Sequence, residues 1–63
     1  MTIIGYRKGA NSLNAIQSVK KHTGRSLLES KQLIESVLKG QAVQLDEDFV
    51  LREELTDCNF IVK

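Results

Sequence analysis

Residues 9–35, GANSLNAIQSVKKHTGRSLLESKQLIE, constrain this chain most, because apolar residues fall at helical spacing on both sides of His22-Thr23-Gly24. Leu13, Ile16, Val19 and Lys20, with Ala15 beside them, follow three- and four-residue steps, the period of a helix face and not the alternation of a strand. Asn11 or Ser12 can cap this helix by accepting a bond from a free backbone N–H. Gly24 ends it, since glycine takes the left-handed conformation beyond a helix end at little cost. Ser26-Leu27-Leu28-Glu29 opens a second helix as a capping box: the serine oxygen accepts from the N3 amide, and the glutamate accepts from the cap amide. Leu27, Ser30, Leu33, Ile34, Val37 and Leu38 form its expected buried stripe, and Lys39-Gly40 closes it. Val19, Ser30, Ile34 and Val37 are the inward set expected for the pair.

Strands are expected on either side. Thr2–Tyr6 (TIIGY) is β-branched and aromatic and stops at Arg7-Lys8-Gly9. Ala42–Leu45 makes a short second strand. Asp46 is the expected cap of a third helix, Glu47 and Asp48 add negative charge at its start, and Phe49, Leu51 and Leu55 anchor it. Asp57 or Asn59 takes a tight turn before a last strand, Phe60–Lys63. The order β-α-α-β-α-β defines one α+β domain over residues 1–63, a three-stranded antiparallel sheet with three helices on one face. Period two puts Phe60 with Val62 and Ile61 opposite them, and Ile3 with Gly5 opposite Ile4 with Tyr6; if Phe60 and Val62 face the helices, Ile61 and either Ile4 with Tyr6 or Ile3 look outward. Ile4, Tyr6 and Ile61 are therefore candidates for self-association through the open sheet face, giving a monomer or a weak homodimer.

A 63-residue chain buries only about 60% of the surface its unfolded form exposes. Cys58 is the one cysteine, so no internal disulfide supports the fold, and a reducing compartment suits it. There is no secretory segment and no apolar run of membrane-spanning length, and with the Met1 start this reads as a complete cytoplasmic protein. The net charge of +1 hides a split. Residues 1–31 carry six cations against Glu29, net +5, whereas residues 32–63 carry three cations against seven acids, net −4. The basic half suits an acidic protein patch or phosphate.

No catalytic grouping emerges, so an enzyme is not expected, nor a cofactor or metal. His22 is the only histidine and reads as a residue shaping a helix end. Cys58 has no adjacent histidine to activate it and reads as a partly buried turn residue. Gly9 and Gly24 match no phosphate-binding loop. Asp46, Glu47 and Asp48 lack the twelve-residue grammar of a calcium loop and read as helix N-terminal charge.

The run AIQSVKKHTG (15–24), Gly9-Ala10-Asn11 before it and LLESKQLIES (27–36) after it resemble the C-terminal domain of the bacterial ribosomal stalk protein. Ile16, Val19, Lys20, Thr23, Gly24, Leu27, Glu29, Lys31, Leu33, Ile34 and Glu35 occupy that family's pattern at fixed spacing, and the likeness runs from about Tyr6 to Lys63. The resemblance implies the fold above and a surface on the first two helices that meets elongation and initiation factors. By position that surface uses Leu13, Ile16, Lys20, Leu27 and Lys31. Ser12 and Gln17 stand where the family usually has lysine, and Lys21 and Arg25 partly replace them. The family's dimerisation segment and hinge have no counterpart in these 63 residues, so the resemblance implies a free-standing tip. That size and the altered patch lead to the expectation of a small regulator, host- or phage-encoded, that engages a translation factor or another acidic cytoplasmic protein.

Two other readings stay open. Lys20, Lys21, His22, Arg25 and Lys31, with Arg7 and Lys8 nearby, could line nucleic-acid phosphates, although no aromatic stacking pair accompanies them. A protease-adaptor role rests on shared topology with the N-end-rule adaptor of the Clp protease.

Overall fold

The central strand of the sheet is the first in sequence. In a computed structural model describing residues 1–63, β1 (Thr2–Tyr6) lies between β2 (Val43–Gln44) and β3 (Phe60–Val62), antiparallel to both. The helices are α1 (Ser12–Thr23), α2 (Leu27–Leu38) and α3 (Phe49–Asp57), so the order is β-α-α-β-α-β, an α+β fold. α2 packs on β1 and β2, and α3 packs on β3. α1 bridges α2 and α3, whose backbones do not come close to each other. No helix is long and apolar enough to cross a membrane.

Local chemistry sets the helix ends. Asn11 Oδ1 accepts from the Asn14 amide at 3.0 Å to start α1. Gly24 ends it at φ 72°, its N–H donating to the Lys20 carbonyl as in an αL cap. The capping box forms: Ser26 Oγ accepts from the Glu29 amide at 3.1 Å, and the Ser26 amide donates to Glu29 Oε1 at 3.3 Å. At the far end of α2, Gly40 at φ 95° donates to Val37 and Gln41 donates to Ser36, a Schellman closure. Asn59, at φ 67°, makes the turn into β3.

Several details differ from the sequence reading. Asp48 caps α3, not Asp46: its Oδ1 accepts from the Leu51 amide at 3.0 Å. The delay arises because Leu45 is buried and its amide donates to the Met1 carbonyl at 2.9 Å, which keeps the chain extended past β2. Phe49 and Leu27 are not core anchors but exposed first residues of their helices. A helical side chain leans toward the N-terminus, so a first-turn residue points past the helix end and away from the packed turns. The pairing of Ile3 with Val62, Gly5 with Ile61 and Tyr6 with Phe60 places a bulge at Ile4-Gly5. The bulge reverses the alternation, so Tyr6 does not share a face with Ile4. It lies beside Phe60, with ring centroids 6.3 Å apart.

The core joins Ile3 and Phe60 of the sheet to Ala15 and Val19 of α1, Ile34 and Val37 of α2, and Leu51 and Leu55 of α3. Ser30 is fully buried in α2, and its hydroxyl has no partner. Removing an unpaired buried hydroxyl relieves its desolvation cost, so Ser30→Ala is expected to gain about 1 kcal/mol. Ile34→Ala, one turn on, is expected to lose about 2–5 kcal/mol by opening a cavity. Urea unfolding followed by helical circular dichroism measures both.

Candidate functional site

The outer faces of α1 and α2 carry the residues singled out in the sequence. On α1, Leu13, Gln17 and Lys20 follow i, i+4, i+7 spacing opposite the buried Ala15 and Val19, and all three are exposed. Ile16 sits between the two sets, half-buried and packed against the core. On α2, Leu27 and Leu28 open the helix, and Lys31 follows them by four and three residues, on the same face. Leu13, Leu27 and Leu28 are 69%, 53% and 64% exposed. Leu28 was not singled out in the sequence, but its position off the Ser30-Ile34-Val37 stripe marks it as an outward leucine.

Gln17, Lys20, Lys21 and Arg25 meet around Gly24 in a shallow groove of about 410 Å³. Lys20, Arg25 and Lys31 have no carboxylate within ion-pair distance. Lys21 differs, because its Nζ lies 3.4 Å from Glu54 Oε2 on α3. Ile4 and Ile61 remain on the outer sheet face, from which the bulge withdraws Tyr6.

His22 does more than shape a helix end. Its Nε2 lies 3.2 Å from Glu54 Oε2, without hydrogen-bond alignment, and its Nδ1 lies 3.8 Å from Asp48 Oδ2. Glu54 of α3 and Asp48, the cap of α3, thus flank the last turn of α1, ion-paired to the imidazole when it is protonated. No local sequence signal could reveal this contact, since 26 and 32 residues separate the partners. The polar groups of Ser18, His22 and Lys21 beside it hold the Glu54 carboxyl below its ordinary 4.5. His22 also lines a half-open hollow of about 450 Å³ together with Arg25, Gln44 and the acidic loop Asp46–Asp48. Glu47 in that loop is held below its ordinary value chiefly by the Arg52 guanidinium, which donates to both carboxylate oxygens at 3.0 and 3.1 Å.

Cys58 is buried at the end of α3, and burial, with Asp57 and Glu54 nearby, pushes its thiol up. No family model, curated protein or solved structure matches the chain.

The Glu54 contacts set an acid limit. The folded state favours the carboxylate more than the unfolded chain does, so this stability is complete above pH 4.5 and is lost as pH falls through the lowered value. Glu54→Gln is expected to lower Tm at neutral pH, and the gap to the native chain is expected to narrow as pH falls below 4.5 and to close beneath the lowered value. Thermal scans across pH measure this.

Proposed function

We propose that this chain is a protein-binding module of the ribosomal-stalk-tip kind, working by contact rather than catalysis, with the outer faces of α1 and α2 as its docking surface. One observation carries the reading: three leucines more than half exposed, Leu13, Leu27 and Leu28, stand on the same faces as the unpaired cations Lys20 and Lys31. Desolvated apolar anchors supply the holding energy of such a surface, and the cations steer an acidic partner and set its orientation. The preferred partner is a translation factor, as the resemblance of residues 15–36 implies, and the role is that of a small cytoplasmic regulator. A single buried cysteine kept as a thiol suits that compartment.

The nucleic-acid reading has less support. Of the five residues proposed to line phosphates, Lys21 and His22 face carboxylates of α3 and its cap, which offset their positive potential.

Titration calorimetry against a purified bacterial elongation factor tests the proposal. Leu13→Asp with Lys31→Glu changes two exposed side chains, so the variant is expected to keep its helical spectrum while its affinity falls at least about 100-fold. Lys20→Ala alone is expected to slow association and reduce its salt dependence, with little change in dissociation. Absence of binding by the native chain, or equal binding by the double variant, contradicts the proposal.

A further inference from the structure

α3 repeats with a glutamate the spacing that α2 carries with a lysine. Phe49 and Val50, 70% and 50% exposed, open α3 as Leu27 and Leu28 open α2. Glu53 follows Phe49 by four residues and Val50 by three, just as Lys31 follows Leu27 and Leu28. Spacings of three and four put each charge on the face of its own apolar pair. Glu53 and Lys31 are both exposed, and neither has an ion-pair partner within the molecule.

We propose that these two helix starts are complementary, and that the occupant of the Phe49-Val50-Glu53 patch is the Leu27-Leu28-Lys31 patch of a second copy of this chain. The contact sets an apolar pair against an apolar pair and closes an ion pair between Lys31 of one molecule and Glu53 of the other. Opposite charges fix which patch meets which and disfavour patches of the same kind meeting. The net charge of +1 leaves almost no overall repulsion between copies. Each patch is small, so the association is weak and concentration-dependent.

The contact uses the α2 face also proposed for a translation factor, so the two occupants compete for it. Glu53→Lys lies outside that face. Loss of self-association in Glu53→Lys with retained factor binding separates the two proposals, and a native chain that self-associates without binding a factor overturns the factor reading alone.

Analytical ultracentrifugation from about 10 μM to about 1 mM at low ionic strength, where surface charge is least screened, is the test. The weight-average mass of the native chain is expected to rise by roughly half or more over that range and to return to the monomer value at high salt. Lys31→Glu and Glu53→Lys are each expected to remain monomeric, and an equimolar mixture of the two to associate again, because each supplies the charge the other has lost. A native chain that stays monomeric at the highest concentration overturns the proposal. So does association that survives both single reversals, or association removed by Ile4→Asp on the outer sheet face and by neither reversal.

Discussion

The structure depends on how closely α1 approaches its two neighbours. The backbones of α2 and α3 do not approach each other closely, so α1 is what links them within the helical layer, while β1 and β3 link them through the sheet. Its inward residues, Ala15, Ser18 and Val19, are small enough to let its backbone come near both. A larger side chain at Ala15, which is fully buried, forces a helix away and opens the core between them. Polar contacts reinforce one flank, where Lys21 and His22 reach Glu54 and His22 reaches Asp48.

That placement decides what faces outward. With Ala15 and Val19 turned inward, the helical period leaves Leu13, Gln17 and Lys20 in solvent. Gly24 and the Ser26–Glu29 capping box then fix where α2 begins, and hence which leucines point past its start. The same lean exposes Phe49 and Val50 at the start of α3. The proposed docking surface and the proposed contact between copies are thus consequences of how short helices begin. Their apolar residues are not failed core positions.

Much of this was legible in the sequence because it is local. Asn11, Gly24, the Ser26–Glu29 box and Asn59 act on residues a few positions away, so their spacing carries the information. What the sequence hid is non-local. Asp46 has the chemistry of a cap, but the pairing of Leu45 with Met1 carries extended backbone beyond it and moves the cap to Asp48. The bulge at Ile4-Gly5 comes from the register against β3 and removes Tyr6 from the face that alternation assigned to it. Within the candidate site, Leu13, Lys20 and Lys31 were named by the resemblance, whereas spacing alone groups Leu13 and Lys20 with Val19, from which α1 separates them. The binding of Lys21 and His22 by α3 was legible in neither, because a tertiary contact decides which cations stay free.

Native-state hydrogen exchange tests the central claim, that α1 is the element joining α2 to α3 within the helical layer, most directly. If it is, the amides in the middle of α1, such as Val19, exchange only with global unfolding, with the same opening free energy as Ile34 in α2 and Leu55 in α3. A set of α1 amides that opens well below the global value, while α2 and α3 stay protected, contradicts it.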